Sequence, residues 1–133
     1  MKSIVKIKSE KMLLSVNIAD DVNTRINDIA QALGVTVKAV GKDSGSEQLG
    51  YLLGFSGFKA SAEEKHELND SCIVFSGITP NELNALLKAL REAGIIIPLK
   101  AVCTPYNQSW KLADLVKELA KEHELMNGGN GGE

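Results

Sequence analysis

Between positions 100 and 110 the chain gathers its most reactive residue types: Lys100, Cys103, Thr104, Asn107, Ser109 and the only tryptophan, Trp110. Thr104, Asn107 and Ser109 stand just before a predicted helix. There, free N–H groups and the helix dipole point the same way and could hold an anion. The same side chains could equally serve the chain itself, with Asn107 or Ser109 as the helix cap and Thr104 bonded to the turn backbone. Lys100 lies in an apolar run and faces opposite to Leu99 and Ala101. It is either an anion contact at the sheet end or a lysine that reaches solvent along a strand edge. Cys103 would need a base to act as a nucleophile, and the two histidines, His66 and His123, are not placed beside it by sequence. Trp110 at a helix start is a core anchor or a platform for a ligand. A cis peptide at Thr104-Pro105 would pin this turn.

The elements that must position these residues are legible as alternating strands and helices. Met12 to Asn17 is a first strand. Asp20 and Asp21 offer a cap to a helix with Val22, Ile26, Ile29, Ala30 and Leu33 on its apolar stripe, stopped by Gly34. Val35 to Val40 is a second strand rich in β-branched residues. Gly41 to Ser46 is a polar turn without the lysine arrangement of a phosphate-binding loop. Ser44 and Glu47 have the spacing of a capping box before a short helix over Leu49, Leu52 and Leu53 that ends at Gly54. Cys72 to Phe75 is wholly apolar, which predicts a strand buried on both faces. Thr79-Pro80-Asn81-Glu82 is a helix start with cap, N1 proline and box; its stripe is Leu83, Leu86, Leu87 and Leu90, and Gly94 stops it. Ile95 to Val102 is the fourth strand, and a last helix runs from about Ser109 to Met126.

This order repeats. Gly34 and Gly94 close equivalent helices, Lys38-Ala39-Val40 echoes Lys100-Ala101-Val102, and Leu49, Leu52 and Leu53 echo Leu112, Leu115 and Val116. The offset drifts from about 60 to about 63 near Pro98, where a proline suits a bulge. Two βαβα half-repeats, about 12–54 and 72–126, with a linker over 55–70, therefore make one α/β domain over 1–126, followed by a flexible Gly-rich tail, 127–133. The expected sheet is four-stranded and mainly parallel, in the order 2-1-3-4, with helices on both faces and the Val22 and Leu83 helices on opposite ones. The carboxyl ends of its strands would then share one rim, where a ligand normally sits. That rim would join Asn17 to Asp20, Gly41 to Ser44, Ser76 to Thr79 and Thr104 to Ser109. An α+β layout with antiparallel central strands would scatter these corners to opposite ends.

Bulk properties narrow the function. The chain has 133 residues, 44% apolar and 24% charged, with a net charge of −2. One domain with an adequate core follows. A nucleic-acid protein would show a basic face, and 5% aromatics is thin for a stacking platform. No run reaches the ~18 apolar residues of a membrane span. Lys2, Lys6, Lys8 and Lys11 are followed by no apolar segment of the length a signal peptide needs, so none is expected; Ser3 to Lys8 is a short edge strand or a lead-in, and its lysines are a solvated edge or a partner-binding arm. Cys72 and Cys103 sit in separate apolar runs without a CxxC pair, which fits reduced thiols in a cytoplasmic protein. Glu63 to Glu67 is a charge run on the linker. His66 has no metal-ligand spacing around it, and no metal or cofactor is expected.

Cys72 to Met126 resembles a bacterial family known only as domain of unknown function three-seven-eight-three. The likeness is densest at Pro98-Leu99-Lys100-Ala101-Val102, Thr104-Pro105, Asn107 and Trp110, followed by Leu115 and Glu118-Leu119, and it extends to Gln48-Leu49-Gly50-Tyr51-Leu52. The lysine, threonine, proline, asparagine and tryptophan of the family pattern fall on Lys100, Thr104, Pro105, Asn107 and Trp110. The resemblance implies domain boundaries and no activity. The expectation from the residues is a binding or regulatory module that meets a protein partner, a second copy of the chain among the candidates, through its Lys100–Trp110 edge. The alternative is a small anionic-ligand-binding protein or enzyme using Lys100, Thr104 and Asn107; whether the chain is an enzyme stays open. A third is a structural subunit that stabilises a partner.

Overall fold

The computed structural model describes residues 11–65 and 67–131, with side chains as far as residue 125. The expected Ser3–Lys8 strand, the lysines at 2, 6 and 8, and His66 lie outside them. The elements in order are β1 (Met12–Val16), α1 (Asp20–Ala32), β2 (Thr36–Val40), α2 (Leu49–Leu52), β3 (Cys72–Ser76), α3 (Pro80–Glu92), β4 (Lys100–Val102) and α4 (Leu112–Gly131). The last helix thus starts three residues later than expected and its backbone continues past Met126.

The four strands form one sheet in the order β2-β1-β3-β4. β1 and β3 are buried along their whole length. The sheet is mixed. β2 runs parallel to β1 and β4 parallel to β3, but β1 and β3 are antiparallel, with Leu14 opposite Val74. The expected mainly parallel arrangement is therefore replaced by two parallel pairs joined back to back. Met12-Leu13-Leu14-Ser15-Val16 and Cys72-Ile73-Val74-Phe75-Ser76 are covered on both faces, so their hydrophobicity carries no sign of direction.

Strand direction also decides where the helices go. Leu13, Ile73 and Phe75 share a core with Ile26, Ala30, Leu86 and Leu90, so α1 and α3 lie on the same face. Leu14, Val16, Cys72 and Val74 pack on the other face with Leu49, Leu52, Leu112, Leu115 and Val116 of α2 and α4. Helices do cover both faces, but the expected split of α1 from α3 does not occur. Crossovers keep one hand, and the two here step outward in opposite directions from the centre. In a parallel sheet that would separate their helices; the reversal of β3 and β4 brings α3 back to the face of α1.

Helix ends follow local chemistry with two exceptions. Thr79 and Glu82 form the full capping box and Pro80 is the first helical residue. Gly34 and Gly94 both have φ of 76°, the left-handed conformation a helix stop favours. Asp20 and Asp21 do not cap α1; they occupy its first turn behind Ala19, where their charge meets the positive helix end. Ser44 and Glu47 form no box either, because α2 begins at Leu49. The Glu47 carboxylate instead accepts the Ser61 amide at 2.8 Å. That bond helps hold the 55–65 segment against the domain, as does the Phe58 ring over Gly50; farther on, the Leu68 amide donates to the Lys42 carbonyl.

Candidate functional site

β4 begins at Lys100, and its pairing of Ile73 with Lys100 turns that side chain towards the α1/α3 face, away from Leu99 and Ala101, which join the α2/α4 core. The lysine is exposed, and its Nζ donates to the Ile97 carbonyl at 2.6 Å. Beyond Cys103 the chain makes a tight turn. The Thr104 amide donates to Asn107 Oδ1 at 2.8 Å, and the amides of Tyr106 and Asn107 each donate to Thr104 Oγ1 at 3.2 Å. Asn107 Nδ2 donates back to the Val102 carbonyl at 3.1 Å. Thr104 and Asn107 therefore hold the turn together, and neither caps α4. All described peptides are trans, so the cis arrangement at Thr104-Pro105 is absent; side-chain bonds pin the turn instead.

These bonds pin the backbone of the turn, and apolar side chains in and beside it face outward. Tyr106 is 89% exposed, Val102 45% and Trp110 40%. Trp110 is thus not a core anchor. The Trp110 carbonyl accepts the Leu49 amide at 2.9 Å and the Gln108 carbonyl accepts the Gly50 amide at 2.7 Å, so the next residue of α2, the exposed Tyr51, belongs to the same neighbourhood. Ser109 gives its carbonyl to Gln48 Nε2. Beside Trp110 a shallow groove is lined by Lys111, Asp114, Lys117, Glu118 and Lys121. Sequence reasoning missed Tyr51, Val102 and Tyr106, whose exposure depends on how α2, β4 and the turn are placed against one another.

The expected common rim is overturned. Val16 lies level with Val40 and Cys72, whereas Met12 lies level with Thr36 and Ser76. Asn17 to Asp20 and Gly41 to Ser44 thus leave one end of the sheet, Ser76 to Thr79 and Thr104 to Ser109 the other. Cys72 and Cys103 are likewise at different ends, since the Cys103 amide meets the Phe75 carbonyl, and both are free thiols. Burial, with Asp70 nearby, pushes the Cys72 thiol up to about 12. Burial also raises Cys103, which keeps it protonated and disfavours a nucleophilic role.

Lys100 belongs to a second place. A cavity of about 370 Å³ between α3 and β4 is walled by Ile73, Leu87, Leu90, Ile95, Ile96 and Ile97, with Arg91 and Lys100 as its charged residues. Thr104, Asn107, Ser109 and Trp110 do not line it. The structure thus divides the expected site residues between an apolar cavity and an aromatic turn.

No helix among the described residues is long and apolar enough to cross a membrane. No curated protein and no solved structure matches the chain. Residues 71–126, from just before β3 into α4, match the model of the family described as Domain of unknown function (DUF3783).

Proposed function

We propose that the chain is a cytoplasmic protein-interaction module, built by duplication of one βαβα unit, that docks a partner on the aromatic rim of Tyr51, Tyr106 and Trp110. The observation that carries this reading is the division of labour within 102–110. Thr104 and Asn107 are committed to the turn's own hydrogen bonds, while Tyr106 and Trp110 are held outward. A backbone pinned in this way presents the two rings at a fixed place on the surface, and tyrosine and tryptophan are enriched among interface hot spots.

The duplication is supported by matching positions. α1 and α3 each span 13 residues, 60 apart. Asn17 and Gly77, after the central strands, both have positive φ. The contact between halves is reciprocal: the Leu49 amide meets the Trp110 carbonyl, and the Leu112 amide meets the Glu47 carbonyl. The family match covers the second of the two units. Two free cysteines in a small domain favour a reducing compartment.

The test is a photo-crosslinking amino acid at position 106, with adducts identified by mass spectrometry and self-association followed by sedimentation. A discrete adduct lost in Trp110→Ala supports the reading, and a dimer lost in the same variant makes the partner a second copy. Adducts that ignore Trp110→Ala, or none, overturn it.

A further inference from the structure

We propose that the cavity between α3 and β4 binds a small anionic amphiphile, a hydrocarbon chain ended by a carboxylate. The chain would lie against Leu87, Ile95 and Ile97, and the carboxylate would sit between Arg91 and Lys100. This is a different place from the aromatic rim and does not depend on it.

Four observations carry the proposal, the first three being the size of the cavity, the sign of its charges and the free donors on those charges. The cavity's volume, about 370 Å³, falls within the ~300–1,000 Å³ of small-molecule sites, which are also mostly apolar with a few placed polar groups. Its two charged residues are both cations, with no carboxylate among the lining residues. The Arg91 guanidinium has no hydrogen bond or ion pair among the described residues. Lys100 Nζ gives one bond to the Ile97 carbonyl, which steadies the amine and leaves two of its three donors for a ligand. A carboxylate accepts well from both groups.

The fourth observation is how the cavity arises. Val37 stands beside Leu13 as Lys100 stands beside Ile73. The corresponding helix positions are 60 apart, so α1 has Asn27 and Gln31 where α3 has Leu87 and Arg91. Leading into the edge strand, the second half carries three more residues than the first, since the offset rises from 60 at Leu13 and Ile73 to 63 at Val37 and Lys100. Those extra residues fall in the apolar run Ile95-Ile96-Ile97-Pro98, where Ile96 is 78% exposed. Both cations, Leu87 and the added isoleucines therefore appear together on one side of an otherwise matched fold. A lysine that merely solvates an edge would not bring with it a second cation and an apolar hollow.

Binding of octanoate, below its micellar range, is measured by isothermal titration against 1-octanol and octylamine as apolar and cationic controls. The expected result is saturable one-to-one binding of octanoate that falls about tenfold or more in Arg91→Gln and in Lys100→Gln. The alcohol should bind weakly and equally to all three proteins. Leu87→Trp, which fills the cavity while leaving both cations, should abolish binding. Octanoate that fails to saturate, that binds no better than 1-octanol, or that ignores the charge variants would overturn the proposal. Since Trp110 does not line the cavity, Trp110→Ala should leave octanoate affinity unchanged; a loss would place the ligand elsewhere and refute the site.

Discussion

Leu14 and Val74 face each other at the middle of the sheet, and each is the third residue of its own five-residue strand. Both are fully buried in the core under α2 and α4. The two halves therefore share their central contact and have no separate cores on this face. Leu14→Ala should cost about 2–5 kcal/mol, as expected for a large-to-small change that leaves a cavity. The same variant should unfold in one transition, with Trp110 fluorescence, which reports the second half, and far-ultraviolet dichroism falling together in urea. Separate transitions would mean that the halves are independent.

Gly50 of α2 lies directly under the Phe58 ring of the 55–65 segment. A Cβ placed there would lie 2.6 Å from the Phe58 ring, inside any tolerable contact. Gly50→Ala should destabilise by about 1–3 kcal/mol through overpacking. In a Phe58→Ala background the same change should cost less than about 0.5 kcal/mol, because the obstacle is gone and the two sites are coupled. Equal costs in both backgrounds would place the strain in the α2 backbone.

What could be read without coordinates follows from how far each signal reaches. Thr79, Pro80 and Glu82 act within one turn, and that helix start is as expected. Strand order was legible because the two buried strands had to be central and the two Gly-stopped helices each led to an edge. Strand direction was not. Leu14 and Val74 would be equally buried in either orientation, and the deciding partners are remote, as in the ion pair between Lys11 and Glu82. Lys38 and Lys100, alike in sequence context, fall on opposite faces of the sheet, since Lys38 pairs with Leu14 and Lys100 with Ile73, and a shift of one residue in register is enough for that. At the candidate site, residue types marked the right turn, but not that Thr104 and Asn107 bond to their own backbone while Lys100 looks into another hollow.

The cysteines give a probe of local opening. Cys72 is fully buried and Cys103 partly so, and burial raises both thiols. At pH 8 an aromatic disulfide reagent should modify Cys103 slowly and Cys72 only through global unfolding. The Cys72 phase should accelerate with urea along the slope of the equilibrium transition and should persist alone in Cys103→Ser. A fast reaction of Cys72 would show that β3 opens locally.

Glu82 supplies a pH dependence with a defined sign. Its carboxylate is paired with Lys11 and accepts the Thr79 amide. Together with the Thr79 side chain these hold it at about 2, against an ordinary 4.5. The group is depressed on folding, so its contribution is fully present above pH 4.5 and is lost as the pH falls towards 2. Glu82→Gln should therefore lower the urea midpoint at pH 6 more than at pH 2.5, and the two proteins should converge in acid. Lys11→Met removes the largest cause and leaves Thr79, so the Glu82 titration, followed by carboxyl carbon shifts in NMR, should move up part of the way to 4.5. A Glu82 titration that stays near 2 in Lys11→Met would assign the depression to the capping box alone, and would deny that the antiparallel centre, which brings the start of β1 beside α3, contributes to it.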